Sequence, residues 1–303
     1  MKSEFAPEEL AALAGKWLSE EIEAIQPVRS GQVSKAFIVS TKGGPDYILR
    51  VNEQAIFFQR DAWIYRRYAH TGIPVPEVIA LEERGDFAYA ISRRMPGQML
   101  MELPEAEVTQ LLPRMIEMLD RIHHCDVSES RGYGPLDREG NGMFASWTDY
   151  LLSVNQGEQA ERMERAYRTT CLDRGLCTRL YENMRALSTF CPQERYLIHG
   201  DYSFDNVLTE GGEISAVLDW GSASYGDYLF DVSWGSFWDF GGSFFQAFKD
   251  YSQFCKTPIP TLEERIQCYH CYISLVALLF FAERGQTDVY QMLKQAILTE
   301  LSL

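Results

Sequence analysis

The stretch that decides the fold lies about two-thirds of the way along this chain of 303 residues, where residues 197–208 read LIHGDYSFDNVL and residues 214–220 read ISAVLDW. Two apolar runs of strand length flank Gly211-Gly212, a dipeptide typical of a hairpin turn. Antiparallel pairing centred on this turn would place Asn206 opposite Val217. Asp219 would then be a diagonal neighbour of Asn206 on the same face, with the two backbones roughly 7–8 Å apart.

Three polar residues around this hairpin suggest chemistry. Asn206 and Asp219 offer hard oxygen ligands, which suit Mg²⁺ rather than Zn²⁺ when water and phosphate oxygens complete the coordination. Asp201 lies five residues before Asn206, and a carboxylate there can accept or orient the proton of an attacking hydroxyl. Each residue alone is common as a turn former, a cap or a surface acid. Their combination around one hairpin favours a functional site.

The charge of the chain is unevenly distributed. With 28 basic and 43 acidic residues the net charge is -15, so the surface should repel nucleic acids and anionic membranes. Residues 1–95 contain 12 basic and 13 acidic residues, whereas residues 96–303 contain 16 and 30. The acidity of the second part indicates either a solubilising surface or a site for a cation.

The cysteines and the apolar runs indicate where the protein works. Seven scattered cysteines do not form a disulfide framework, which favours a reducing compartment. Residues 1–10 show no secretory signal. The longest apolar run, residues 272–282, is shorter than the roughly 20 residues that span a bilayer, so we predict a buried helix there. A cytoplasmic location is therefore expected.

The hydrophobic patterning changes near residue 95. The first part predicts a helix up to about residue 23, a helix over 57–70, and strands at 36–40, 47–51, 78–81 and 87–92, with turns at 42–46 and 84–86. The second part predicts helices at 104–124, 147–156, 158–188, 228–254, 261–284 and 287–302. Thr261 and Glu264 have the spacing of a capping box at the start of the helix at 261–284. The chain is therefore predicted to have an α+β fold.

The segments His199-Gly200-Asp201 with Asn206, and Leu218-Asp219-Trp220, resemble the catalytic and metal-binding motifs of the aminoglycoside phosphotransferase family, which is related to the protein kinases. The resemblance extends over nearly the whole chain. Stretches similar to family members that act on hygromycin B are YILRVN at 47–52, IPVPEV at 73–78, ISRR at 91–94, GYGP at 132–135 and YGD at 225–227.

This resemblance implies a protein-kinase-like bilobal fold. A small β-rich N-lobe, residues 1–95, would bind the nucleotide. A larger and mostly helical C-lobe, residues 96–303, would carry the catalytic loop and the acceptor site. Asp201 would be the catalytic base or hydroxyl-orienting group, and Asn206 and Asp219 would bind Mg²⁺ at the nucleotide phosphates. Asp231 and His199 would support the catalytic loop.

The resemblance also implies a nucleotide site in the N-lobe. Arg50 would meet the phosphates and pair with Asp61 on the following helix, although Lys and Glu are the commoner residues of the family at these positions. Arg presents a planar fork rather than a point charge, so its contact geometry would differ. The phosphate loop would be residues 30–34, with the hydroxyl of Ser34 reaching phosphate oxygens. Adenine would lie against residues 90–94; ATP is the expected co-substrate, and GTP stays open.

Acceptor binding is expected in the acidic C-lobe, because aminoglycosides carry several ammonium groups that carboxylates attract and orient. Asp205 is the first candidate for this contact. Trp238 is the second, as a flat surface against a sugar ring or an ammonium group. Trp238 also lies in an aromatic run, and such runs more often belong to a core than to a ligand site.

The favoured function is an ATP-dependent O-phosphotransferase that transfers the γ-phosphate to a hydroxyl of an aminoglycoside antibiotic, with a hygromycin B-like acceptor, and so gives resistance. One alternative keeps the fold and changes the acceptor to choline, another amino-alcohol, a sugar or a macrolide. Another is a nucleotide-binding, pseudokinase-like scaffold, against which the intact Asp201, Asn206 and Asp219 argue. The expected partners are the nucleotide and a cationic small molecule, bound by a monomer that binds neither nucleic acid nor membrane.

Overall fold

The computed structural model describes residues 5–28, 34–239, 241–256 and 258–300. The strands in these ranges are β1 (Ile22–Pro27), β2 (Lys35–Thr41), β3 (Tyr47–Asn52), β4 (Val78–Arg84), β5 (Phe87–Arg93), β6 (Gln98–Met99), β7 (Tyr133–Leu136), β8 (Gly142–Phe144), β9 (Tyr196–Ile198), β10 (Val207–Glu210), β11 (Glu213–Val217) and β12 (Ser224–Gly226). The helices are α1 (Pro7–Leu18), α2 (Ala55–Tyr68), α3 (Glu105–His123), α4 (Trp147–Leu152), α5 (Gly157–Thr169), α6 (Arg174–Leu187), α7 (Leu229–Trp238), α8 (Ser243–Cys255), α9 (Leu262–Glu283) and α10 (Thr287–Glu300). The predicted α+β class, with a strand-rich first part and a helical second part, is confirmed.

The chain divides into two compact units. The first unit comprises Met1–Met118, Asp137–Gly140 and Phe204–Ala223, and the second comprises Leu119–Leu136, Asn141–Ser203 and Ser224–Leu303. Asn206 and Asp219 therefore belong to the first unit, whereas Asp201 belongs to the second. The predicted lobes, residues 1–95 and 96–303, divide the chain differently and stay a prediction about the nucleotide and acceptor regions.

The first unit contains a five-stranded antiparallel sheet in the order β1-β2-β3-β5-β4. Apolar side chains of α1 and of the sheet form one buried cluster, which includes Leu10, Ala14, Val39, Leu49 and Ile91. The predicted hairpin between β2 and β3 is confirmed. The predicted extension of the first helix to residue 23 is wrong, because Ser19 takes a left-handed conformation that ends α1 and the chain then enters β1.

A second, smaller sheet of the first unit has the order β11-β10-β6. Next to its turn, Thr209 lies opposite Ile214, but the register shifts before Leu208, which lies opposite Ala216. Asn206 consequently faces Leu218, whose N–H donates to the Asn206 carbonyl at 2.8 Å. The prediction that Asn206 faces Val217 is thus wrong by one residue, because the bulge in the ladder adds one residue on the β11 side. The predicted diagonal placement of Asp219 is wrong for the same reason, since Asp219 lies one position beyond the partner of Asn206 rather than two.

The second unit contains α4 to α10 and a sheet in the order β8-β7-β12-β9. Helix α9 is long and apolar enough to cross a membrane by length and composition, but 78% of its most apolar window is buried inside the protein. The prediction of a buried helix there is confirmed.

Three local predictions about the helices of the second unit are wrong. The helix predicted at 158–188 is two helices, because the side chain of Asp173 caps the start of α6 by accepting from the N–H of Leu176 at 3.0 Å. The helix predicted at 228–254 is interrupted between α7 and α8. The capping box does not form at α9, where the Thr261 hydroxyl donates to the carbonyl of Phe190 instead.

Candidate active site

A buried ion pair joins the sheet of the first unit to helix α2. Arg50 lies on β3 and its Nη2 donates to Oδ2 of Asp61 at 2.5 Å, so the structure forms the pair that the sequence predicted. The side chains of Arg50 and Asp61 are 17% and 6% exposed. The guanidinium also lies over the ring of Phe58, at 5.0 Å from the ring centroid. The ion pair with Asp61 and the packing against Phe58 therefore fix the orientation of the Arg50 guanidinium.

The environment shifts the pKa values of both partners. Burial lowers the pKa of Arg50, but the nearby carboxylates of Asp61 and Asp219 outweigh this effect and hold it above its usual value. Burial, together with the charge of Asp219, raises the pKa of Asp61 to about 6 against the opposing attraction of Arg50. The ionised form of Asp61 is therefore less favourable in the folded protein than in water. Strongly shifted pKa values of this kind are common at functional sites.

Asp219 lies two residues after the end of β11 in a left-handed conformation, with φ 55° and ψ 67°. Its side chain is 49% exposed, and its Oδ1 lies 3.7 Å from Nη1 of Arg50. The backbone N–H of the next residue, Trp220, donates to Oδ1 of Asp61 at 2.7 Å. Arg50, Asp61 and Asp219 therefore form one group at the junction of β3, α2 and the end of β11.

The candidate metal ligands Asn206 and Asp219 flank paired strands, because Asn206 immediately precedes β10 and Asp219 lies two residues after the end of β11. Their oxygen donors are of the kind that Mg²⁺ prefers. Within the described residues, no group of three His, Cys, Asp or Glu side chains could hold a metal ion. Protein-bound Mg²⁺ usually keeps several waters and takes further ligands from substrate phosphates, so two protein ligands are sufficient for such a site.

The hydroxyl of Ser34 accepts a hydrogen bond from Nδ2 of Asn52 at 2.9 Å, and Oδ1 of Asn52 accepts from the N–H of Gln54 at 2.8 Å. Residues 30–33 of the predicted phosphate loop lie outside the described residues. Sequence reasoning missed Asn52, a buried amide that ties the start of β2 to the end of β3. The only available signal was a polar residue at the end of a strand that also carries Arg50.

In the second unit, Asp201 lies in the loop that follows β9. Its backbone N–H donates to Nδ1 of His199 at 3.2 Å, and the preceding Gly200 has a left-handed φ of 81°. His199 is fully buried, in agreement with its predicted supporting role, and Asp201 is half-buried. The backbone that carries Asp201 is therefore held by a hydrogen bond to a buried side chain, His199.

The carboxylate of Asp231, on α7, holds this loop. Its Oδ1 accepts from the N–H of Gly200 and its Oδ2 from the N–H of His199, both at 2.8 Å. Nε2 of His123 lies 3.1 Å from Oδ2, and both side chains are buried. The predicted support by Asp231 is thus seen as two hydrogen bonds to the loop backbone. His123 was missed, because its partner is 108 residues away in the chain.

The two predicted acceptor residues lie in different units. Asp205 is exposed in the short segment before β10 of the first unit. Trp238 is half-buried at the end of α7 in the second unit, with edge contacts to Trp234, Phe237 and Phe281. Its aromatic neighbours are consistent with a core position, and its partial exposure leaves one part of the ring accessible.

Comparisons with known proteins give consistent matches. The model of a phosphotransferase enzyme family matches residues 24–264. Hygromycin-B 4-O-kinase from Escherichia coli is 32% identical over 239 residues, which cover 77% of this chain and 68% of the relative. Acyl-CoA dehydrogenase family member 10 from Mus musculus is 27% identical over 70% of this chain, which spans only 20% of that protein.

Solved structures are similar over almost the full length of the chain. A thermostable mutant of aminoglycoside phosphotransferase APH(4)-Ia, in a ternary complex with ADP and hygromycin B, has a TM-score of 0.82 and 26% identity, covering 95% of this chain and 96% of that one. A putative fructosamine-3-kinase from Haemophilus somnus has a TM-score of 0.67 with 15% identity, covering 95% and 96%. At that identity the second likeness concerns the fold alone.

Proposed function

Because this chain belongs to the phosphotransferase enzyme family, we propose that it transfers the γ-phosphate of ATP to a hydroxyl of an aminoglycoside, with hygromycin B as the best acceptor, and so confers resistance. The family predicted from the sequence is confirmed. The proposed acceptor follows from the identity to a hygromycin-B kinase, together with the acidity of the chain. We further propose that the enzyme acts as a cytoplasmic monomer.

The observation that carries the proposal is the group formed by Arg50, Asp61 and Asp219. A fixed guanidinium beside an exposed carboxylate suits a polyphosphate with its divalent cation, since each charge of the ligand then meets an opposite charge. Asp61 holds Arg50 in place and, through the N–H of Trp220, also holds the backbone beside Asp219. Ser34 would add a hydroxyl toward the phosphates.

Asn206 and Asp219 would hold Mg²⁺, whose charge neutralises the phosphate oxygens when the ion is bound. The half-exposed carboxylate of Asp219 is available for such a ligand, and Arg50 balances its charge at 3.7 Å. Phosphoryl transfer requires little covalent chemistry from the protein, so positioning and charge neutralisation by these residues would supply most of the catalysis.

Asp201 would accept or orient the proton of the attacking acceptor hydroxyl. Its loop is suited to this task because Asp231 holds the backbone at His199 and Gly200. A base whose backbone is held in this way keeps the attacking oxygen in a narrow range of geometry, which is the main requirement of such a reaction.

Acceptor recognition would depend on charge and on a flat apolar surface. Exposed Asp205 would attract an ammonium group, and the accessible part of Trp238 would lie against a sugar ring. Residues 96–303, with 30 acidic and 16 basic residues, would favour the approach of a polycation by long-range attraction.

An acceptor screen tests the proposal. The purified protein is incubated with ATP, Mg²⁺ and either hygromycin B, other aminoglycosides, choline, simple sugars or a macrolide, and both ADP and the phosphorylated acceptor are measured. We expect ADP formation that depends on an aminoglycoside, with hygromycin B the best. Turnover with choline, a sugar or a macrolide instead would show that the proposed acceptor is wrong. Nucleotide binding without turnover on any acceptor would support the scaffold alternative.

A further inference from the structure

Helix α2 carries a second charged residue, Arg60, beside Asp61. Although it is a cation, Arg60 is only 7% exposed. Its Nη1 donates to the backbone carbonyl of Gly221 at 2.7 Å, across 161 positions of the chain. A buried guanidinium is retained only where it is hydrogen-bonded, so this contact is a specific feature of the fold.

Arg60 and Asp61 bind consecutive residues of the short helical turn Trp220–Ser222. Asp61 accepts from the N–H of Trp220 at 2.7 Å, while Arg60 donates to the carbonyl of Gly221. One acidic and one basic side chain therefore form hydrogen bonds to a backbone N–H and a backbone carbonyl of the same turn. The turn cannot shift along α2 without losing both hydrogen bonds.

Packing restricts the turn further. The indole of Trp220 is buried, and its Nε1 donates to the carbonyl of Val217 at 3.0 Å. A Cβ added to Gly221 would lie 2.9 Å from the side chain of Phe57, so the backbone lies directly against α2. Asp219, immediately before the turn, has a left-handed backbone that residues other than glycine rarely adopt. Its conformation needs support from its surroundings.

We infer that Arg60 is a positioning residue for Asp219: by holding the carbonyl of Gly221, it fixes the backbone from which the Asp219 carboxylate projects toward Mg²⁺. This inference rests on the proposed function for the role of Asp219 as a metal ligand. Arg60 differs from Arg50, because Arg50 faces Asp219 itself whereas Arg60 acts through the backbone. Its loss should therefore weaken the metal-dependent part of nucleotide binding more than the metal-free part.

The test uses Arg60→Met, which keeps much of the side-chain length without the donors, and Arg60→Lys, which keeps a charged donor. Arg66→Met is the matched control, because Arg66 is an exposed arginine of the same helix. Calorimetry measures the affinity for a non-hydrolysable ATP analogue with Mg²⁺ and with a chelator. Hydrogen exchange measures the amides of residues 217–223 in nucleotide-free protein, and thermal unfolding shows whether each variant is folded.

We expect Arg60→Met to lose about tenfold or more of the affinity gained on adding Mg²⁺, since partners of metal ligands typically contribute 10–100-fold. Affinity in chelator should change much less than affinity with Mg²⁺, and exchange at 217–223 should become faster. Arg60→Lys should recover part of both effects, and Arg66→Met should behave as wild type. Equal losses with and without Mg²⁺, or unchanged exchange in a folded Arg60→Met, would overturn the inference.

Failure of the proposed function would give a different result. If the nucleotide affinity of the wild type does not depend on Mg²⁺, the metal role of Asp219 is refuted, and the inference about Arg60 is refuted with it. This holds whether or not Arg60 slows hydrogen exchange at residues 217–223. A wild-type protein that binds Mg²⁺ and nucleotide but phosphorylates none of the acceptors would refute the transferase proposal and leave the test of Arg60 intact. If Arg60→Met does not fold, Arg60→Lys is compared with wild type instead. The same two measurements, nucleotide affinity with and without Mg²⁺ and hydrogen exchange at residues 217–223, then test the inference.

Discussion

Replacing Asp61 by Asn should change the pH dependence of the stability of the nucleotide-free protein and should weaken nucleotide binding. Asn can still accept from the N–H of Trp220, but it leaves Arg50 without its charged partner on α2. The pKa of Asp61 is raised from 3.8 to about 6, and a change of one in pKa corresponds to about 1.4 kcal/mol. The pH-dependent part of the stability difference between wild type and Asp61→Asn is therefore at most about 3 kcal/mol.

The sign of the pH dependence follows from this pKa. Because the pKa is higher in the folded than in the unfolded chain, the folded wild type binds more protons between about pH 4 and pH 6. Its stability relative to Asp61→Asn should fall as pH rises through this window and stay constant above it. Urea unfolding of both proteins, in chelator and without nucleotide, measures this difference at each pH.

Asp46→Asn is the control of opposite sign in the same unit. Hydrogen bonds from the side chains of Ser40 and Arg94 lower the pKa of Asp46, so its contribution to stability should be present at neutral pH and lost on acidification. A stability difference between wild type and Asp61→Asn that is constant with pH, or that grows in favour of the wild type as pH rises, would refute the reasoning about Asp61. Unchanged nucleotide affinity in Asp61→Asn would refute its role in holding Arg50.

Three further substitutions test the remaining parts of the site. Asp219→Asn should raise the Mg²⁺ concentration needed for half-maximal nucleotide binding by about tenfold or more, measured by calorimetric titration, and an unchanged value would contradict the metal assignment. Asp231→Asn should lower the free energy of unfolding by about 1–3 kcal/mol and reduce kcat more than KM, because a buried N–H of the loop at His199 and Gly200 loses its acceptor. Asp205→Ala should raise the KM for a cationic acceptor by about tenfold at low salt and less at high salt, with the KM for ATP unchanged; equal effects on both substrates would exclude a direct contact with the acceptor.

The hydrophobic patterning was sufficient to predict the α+β class, and the resemblance of the motifs around the hairpin to a known family implied the pair formed by Arg50 and Asp61. Such motifs consist of residue types at short spacing, which can be read directly from the sequence. The two prolines and the turn residues of the first part also indicated most of its strands. Strand β1 was missed because its sequence IEAIQP has little alternation and becomes a strand only by pairing with β2.

Other features depend on contacts that no local pattern contains. The bulge between Leu208 and Thr209 changes the partner of Asn206, and nothing in the apolar spacing of the two strands required it. Arg60 looked like an ordinary charged position of α2, and its partner Gly221 lies 161 positions away. Likewise, His123 becomes part of the loop support only when α3 and α7 bring it to Asp231. Hydrogen bonds of this kind are set by tertiary structure and override local tendencies.

The central claim is that Asp201 enables phosphoryl transfer to an aminoglycoside hydroxyl. The most direct measurement is the formation of phosphorylated hygromycin B, detected by mass spectrometry, by wild type and by Asp201→Asn at equal and saturating nucleotide occupancy. We predict that the wild type forms the product and that Asp201→Asn binds ATP normally but is slower by about 10²–10⁴-fold, the usual contribution of a positioned acid–base group. Product formation at the same rate by both proteins, or by neither, would contradict the claim.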